Sequence, residues 1–289
     1  ICEPGVMTCD AGTWGNYSEN EDFIPYYCKD EVVPQEEICN GLDDDCDGIT
    51  DWGEEMKDTD ILFVVDWSGS MSDEIDAVMI ALNQFAGEFS DEEVVKWAFL
   101  RGPVGVAPSY QTERLELQQD LVGFSDFLAS LSGMDASPGT MNTAYEMLLD
   151  AIYLSVQNIT SLLPIPISNF QWTGLAGVYP NDVIESAPPL QNFKVNWRPA
   201  ADRIIIVFSD EYPQSFFEPK LGTGEVELAL SGTPQLKLYT FSRTSNKSSW
   251  EDLADAGNGK WYKLTNNPTE MYASLMEILD EICKGGSSE

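Results

Sequence analysis

The sequence predicts an α/β fold: a doubly wound, mostly parallel sheet flanked by helices, with a small disulfide-rich module carrying a calcium loop in front of it. Three observations lead there. Two unbroken apolar runs, Ile-Leu-Phe-Val-Val at 61–65 and Ile-Ile-Ile-Val-Phe at 204–208, suit strands buried on both faces. Segments with apolar residues three and four apart alternate with such runs, as helices do when they cross between parallel strands. Five of the six cysteines fall within the first 46 of 289 residues, where apolar residues are too sparse to build a core.

Residues 1–57 are rich in Cys, Asp, Glu, Gly and Pro and need staples or metal to fold. Cys2, Cys9, Cys28, Cys39 and Cys46 read as a disulfide-stapled module outside the cytosol, and Cys283 is expected to pair with one of these five. A zinc site is disfavoured, because the chain has no His and no Cys-x-x-Cys. The boundary falls near Asp58, so the larger domain runs over 58–284 and leaves a tail at 285–289.

Within that domain the first strand covers 61–65. Ile75, Val78, Leu82, Phe85 and Phe89 then mark one face of a helix over about 72–90. Val94 to Leu100 reads as a strand, Arg114 to Leu121 as its edge neighbour and Phe124 to Leu131 as a short helix. A helix over 141–158 turns Tyr145, Leu148, Ile152 and Val156 inward. Residues 159–200 interrupt the alternation. They are read as an insertion packed on the body through Phe170, Trp172, Phe193 and Trp197, or alternatively as a partner-binding surface. Strands follow at 203–209 and 236–241. The last helix has Asn267 as its cap, Pro268 at its first position, Glu270 to close a capping box and Gly285-Gly286 at its end, with Leu275, Ile278 and Ile282 facing inward.

Fifteen Lys plus Arg against 49 Asp plus Glu give a net charge of -34, which repels nucleic acid and anionic lipid. The charge also suits solubility or a salty medium. No apolar run reaches the length of a membrane-spanning helix. The start at Ile1, with no leader, suggests a mature or excised part of a longer product. Sequons at Asn16, Asn158 and Asn246 are glycan acceptors if the chain passes through a eukaryotic secretory pathway.

Asp66-Trp67-Ser68-Gly69-Ser70 stands where the first strand must turn into a helix, the place where open α/β sheets bind ligands. Alternate residues of an extended segment point the same way, so Asp66, Ser68 and Ser70 offer one carboxylate and two hydroxyls to one point. These hard oxygens suit Mg²⁺, Mn²⁺ or Ca²⁺. A plainer alternative is that they cap the following helix. Asp-x-Ser-x-Ser after an apolar strand resembles the metal-ion-dependent adhesion site of von Willebrand factor A and integrin inserted domains. Ser137-Pro138-Gly139-Thr140 resembles that family's Gly-Gly-Thr segment, and Asp210 follows the second buried strand as the family's second Asp does. The resemblance spans about 225 residues and implies a six-stranded sheet. It further implies Ser68 and Ser70 as direct metal ligands, with Thr140, Asp66 and Asp210 acting directly or through water, and an open position for a partner's carboxylate. Glu211 stands where the family usually has Gly, and an added carboxylate strengthens cation binding while weakening the attraction for an acidic ligand.

Residues 43–54 fit the twelve-position loop of EF-hands. Asp43, Asp45, Asp47 and Asp51 converge on one Ca²⁺, Gly48 permits the turn, Ile49 offers its carbonyl and Glu54 closes the shell. Residues 37–48 also resemble Cys-Asn-Gly-x-Asp-Asp-Asp-Cys-Asp-Gly repeats of bacterial surface and secreted proteins.

The expected function is therefore an extracellular, secreted or cell-surface adhesion module. It binds a protein or glycan on another cell or in the extracellular matrix through Mg²⁺, Mn²⁺ or Ca²⁺, while Ca²⁺ stiffens the small module. Loops 102–113, 211–222 and 242–249 are expected on the metal's face. Two alternatives are a structural subunit of a surface filament and a Mg²⁺-dependent phosphatase-like enzyme. The enzyme is the weaker, because Ser68 stands where a second Asp would act as acid/base, and without His no Ser-His or Cys-His pair exists.

Overall fold

A computed structural model describes residues 8–10, 13–17, 23–25, 58–87, 95–105, 113–132, 147–161, 165–166, 171–172, 192–215, 217–218, 220–233 and 235–286. The chain divides into two compact units, residues 1–56 with 279–289 and residues 57–278. In the first unit, β1 (Thr8–Asp10), β2 (Thr13–Tyr17) and β3 (Phe23–Pro25) form a three-stranded antiparallel sheet. The sequence gives no periodic signal for these short strands. The calcium-loop residues Asp43, Asp45, Asp47, Ile49, Asp51 and Glu54 lie outside the described residues, as do the cysteine side chains.

The second unit is built on a six-stranded sheet in the order β13-β12-β10-β4-β5-β6. Its strands are β4 (Thr59–Asp66), β5 (Val95–Gly105), β6 (Glu113–Val122), β10 (Asp202–Ser209), β12 (Leu236–Ser242) and β13 (Trp261–Lys263). All neighbours run parallel except the edge pair β5–β6. Every residue of β4 is buried, and so are seven of the eight in β10; strands covered on both faces can be apolar throughout.

One face of the sheet carries an aromatic cluster in which Phe63 meets Trp97, Phe85 and Phe127. Phe85 comes from helix α1 (Ser72–Gly87) and Phe127 from α2 (Phe124–Ser132). The opposite face turns Leu62, Val64, Ile205 and Val207 toward Leu148, Ile152 and Val156 of α3 (Leu148–Ser161). Val226 and Leu230 of α4 (Thr223–Ser231), with Trp250 and Leu253 of α5 (Lys247–Ala256), complete that layer.

Helix α3 begins at Leu148, later than the 141 expected, and 141–146 lie outside the described residues. It is buried nearly all round, since the 192–201 segment lies over it. Trp197 is buried and its indole N–H donates to the Ser155 carbonyl at 3.2 Å. The 159–200 stretch contains the short strands β7 (Ile165–Pro166), β8 (Gln171–Trp172) and β9 (Asn192–Phe193). β7 pairs with β9, and β8 pairs with β11 (Phe217–Glu218). The side chains of Phe170, Trp172 and Phe193 lie outside the described residues.

Arg198 clamps the far end of the same segment to β4. Its backbone N–H and Nε each donate to the Asp60 carboxylate at 2.7 Å. Burial raises the Asp60 pKa, and the Arg198 contacts pull against that rise.

Helix α6 (Pro268–Gly286) starts as expected, with Asn267 Oδ1 accepting from the Thr269 N–H at 3.1 Å. Glu270 departs from a capping box: it takes the Asn267 side-chain amide at 3.2 Å instead of the cap's backbone N–H, which donates to Thr265 Oγ1. Leu275 and Ile278 are buried, whereas Ile282 is half-buried. Two sequons are corrected. Asn158 and Asn246 are buried and hydrogen-bonded to the Val195 N–H and the Asp210 carbonyl respectively, so neither side chain is free to carry a glycan. Among the described residues no helix is long and apolar enough to cross a membrane.

Candidate metal centre

Three adjacent parallel strands end at one edge of the sheet, and their last residues make the site. β4 ends in Asp66, β10 in Ser209 with Asp210 next, and β12 in Ser242 with Arg243 next. β4 and β10 lie side by side where the strand order reverses, the place at which open α/β sheets bind ligands.

Asp66 is fully buried. Its Oδ1 accepts the Ser68 N–H at 2.9 Å and its Oδ2 the Ser209 hydroxyl at 2.9 Å. The first contact folds the chain back after the strand, so that Ser68 and Ser70 stand together with hydroxyls 2.9 Å apart. The Ser70 hydroxyl donates to Asp210 Oδ1 at 3.1 Å. Ser68 has extended backbone at the start of a 3-10 turn (Gly69–Met71), and its side chain makes no cap hydrogen bond. The capping alternative is thereby set aside: both hydroxyls serve the cluster.

Asp66, Ser68, Ser70 and Asp210 thus meet across 140 residues of sequence. Thr140, the fifth candidate, lies outside the described residues.

Burial pushes the Asp66 carboxyl up to about 6, with Asp210's charge adding to the rise and the hydrogen bonds from Ser68 and Ser209 opposing it. Burial thus penalises the charged form of Asp66, a penalty that a nearby cation would offset. Asp210 Oδ2 is buried and accepts no hydrogen bond among the described residues. Arg243 Nη2 stands 2.9 Å from it in charge contact and donates to Glu74 Oε1 at 3.0 Å. Burial lowers the Arg243 pKa, but the Glu74 hydrogen bond and the charges of Asp210, Glu74 and Glu211 outweigh it and raise the net value.

The loop after β10 is fixed by residues that the sequence reading passed over. Asn246 Nδ2 donates to the Asp210 carbonyl at 2.8 Å, and the buried Trp250 donates its indole N–H to the Glu211 carbonyl at 2.8 Å. Trp250, Leu253 and Ala254 are spaced three and four apart, a signal that would have revealed α5. Arg243 carried no such signal, because its partners lie 33 and 169 residues away.

Such an arrangement can hold a hard divalent cation on oxygens. Two carboxylates and two hydroxyls converge, all of them hard oxygen donors, and Asp210 Oδ2 accepts no hydrogen bond among the described residues, its contact there being the charge of Arg243.

No family model matches the sequence, and no curated protein matches it. Solved structures do. Proximal thread matrix protein 1 from the mussel byssus, in its crystal form 2, is 12% identical, covering 80% of this chain and 49% of that one, with a TM-score of 0.51. The D319A mutant of the PilB minor pilin from Streptococcus sanguinis is 10% identical, covering 94% of this chain and 74% of that one, also with a TM-score of 0.51. A von Willebrand factor type A protein from Catenulispora acidiphila is 12% identical, covering 78% and 43%, with a TM-score of 0.48. The mussel protein and the pilin share this α/β fold. This chain spans just under half the length of the mussel and Catenulispora proteins, and at these identities the likeness shows the fold alone.

Proposed function

We propose that the chain is an extracellular or cell-surface adhesion or assembly module, not an enzyme, and that it takes its partner through a divalent cation at the end of β4. Asp66, Ser68, Ser70 and Asp210 would hold the cation, with Thr140. The observation that carries this reading is the joining of Asp66, Ser68, Ser70 and Asp210 in one hydrogen-bonded cluster, its two carboxylates buried and Ser70 at the exposed rim. Neutral hydroxyls keep the donor set low in negative charge, so a bound Mg²⁺, Mn²⁺ or Ca²⁺ supplies an electrophilic centre for a partner's carboxylate. In the small module, Asp43, Asp45, Asp47, Ile49, Asp51 and Glu54 would hold a Ca²⁺ that stiffens it. The partner is a protein or glycan on another cell or in the extracellular matrix.

The test is binding of the full chain to cells and to extracellular matrix with and without chelator, for the parent and for Ser70→Ala and Asp66→Ala. Loss in chelator and in both variants is expected; binding untouched by all three sinks the reading. Two proteins sharing the fold are named as a thread matrix protein and a minor pilin, so concentration-dependent assembly is measured beside adhesion.

A further inference from the structure

Four carboxylates crowd this face: Asp66 and Asp210 in the cluster, Glu74 and Glu211 beside it. On a chain of net charge -34 they oppose any acidic partner. Yet Arg243 places one cation among them. Its Nη2 is pinned between Glu74 Oε1 and Asp210 Oδ2 at 3.0 and 2.9 Å, while its side chain stays 45% exposed. Nε and Nη1 have no partner among the described residues. A guanidinium fixed at one nitrogen has surrendered most of its side-chain entropy already, so its outward N–H groups are pre-organised donors for an anion.

We propose that Arg243 selects the ligand at this site: anchored on Asp210 and Glu74, it offers its outward N–H groups to a carboxylate of the partner and offsets the surrounding negative charge. The proposal rests on the reading of the cluster as a cation site. It deepens that reading by placing a second contact for the partner's carboxylate on β12's exit. It also answers the expectation from Glu211 that an acidic ligand would be attracted less, because the added carboxylate is met by an added cation.

The test uses the full chain with Mn²⁺ and acetate as probes. Mn²⁺ affinity is read from the paramagnetic resonance of the free ion, and acetate binding from the relaxation of its methyl protons by protein-bound Mn²⁺. The signal from Asp66→Asn, which lacks the site, is subtracted. Losing a charge-assisted contact in Arg243→Gln should weaken acetate by roughly tenfold or more, with Arg243→Lys between it and the parent. Mn²⁺ should bind Arg243→Gln as tightly as the parent or more tightly, since a like charge has gone. A purely structural role for Arg243 would weaken both probes together. Acetate binding unchanged in Arg243→Gln, or Mn²⁺ binding weakened by it, overturns the proposal while leaving the cation reading in place. Failure of the parent to bind Mn²⁺ overturns both.

Discussion

Replacing Asp66 by Asn should stabilise the metal-free protein at neutral pH. The Asp66 carboxyl sits at about 6 in the fold against 3.8 for the ordinary group. A carboxyl whose folded pKa is raised favours the fold fully below the unfolded pKa and loses that contribution as pH rises through the folded value. The window is therefore about pH 4 to 6. A gap of about 2 pK units corresponds to roughly 3 kcal/mol of strain above pH 6.5, falling to under about 1 kcal/mol at pH 4. Asn removes the charge and keeps the hydrogen bonds: its carbonyl oxygen can accept the Ser68 N–H and its amide can donate to Ser209 Oγ, the two groups that Asp66 now engages. Urea unfolding of both proteins in chelator, from pH 4 to 7.5, should show Asp66→Asn more stable by up to about 3 kcal/mol at the alkaline end, with the gap closing toward pH 4. Mg²⁺ should then stabilise only the parent. Equal stabilities at pH 7.5, or a gap that does not close on acidification, would refute the electrostatic reasoning.

Three further outcomes follow from the packing. Trp250→Ala should cost roughly 3–5 kcal/mol by denaturant titration, since it empties a fully buried site and frees the Glu211 carbonyl beside the cluster. Gly259→Ala should destabilise by roughly 1–3 kcal/mol or more, because a Cβ there would lie 2.0 Å from the Leu238 carbonyl oxygen; an unchanged unfolding midpoint would contradict that close approach. Asp45→Ala with Asp47→Ala should make residues 1–57 protease-sensitive while the larger domain stays resistant, and equal cleavage of parent and variant with and without chelator would remove the calcium loop from the account.

The sheet was legible wherever one strand carried its own signal. The runs at 61–65 and 204–208 are apolar throughout because β4 and β10 are covered on both faces, and Ile75, Val78, Leu82 and Phe85 are all buried on α1. Helices α4 and α5 went unread, the first because only Val226 and Leu230 of its nine residues are buried, leaving little periodicity. Asp66, Ser68 and Ser70 could be named because they stand at alternate positions where a recognisable strand ends, and Asp210 because it follows the second apolar strand as the resemblance implies; the structure brings all four together. What surrounds them could not. Arg243, Glu74, Asn246 and Trp250 reach the site only through tertiary packing, and Asp60 looks like a solvated acid until Arg198 folds over it.

The claim that a divalent cation sits among these four residues is tested most directly by anomalous scattering from crystals of the full chain soaked in Mn²⁺. The account predicts a manganese peak about 2.1 Å from the Ser68 and Ser70 hydroxyls, with their mutual hydrogen bond replaced by shared ligation. Crystals saturated with Mn²⁺ that keep the Ser68–Ser70–Asp210 hydrogen-bond chain and show no peak there would contradict it.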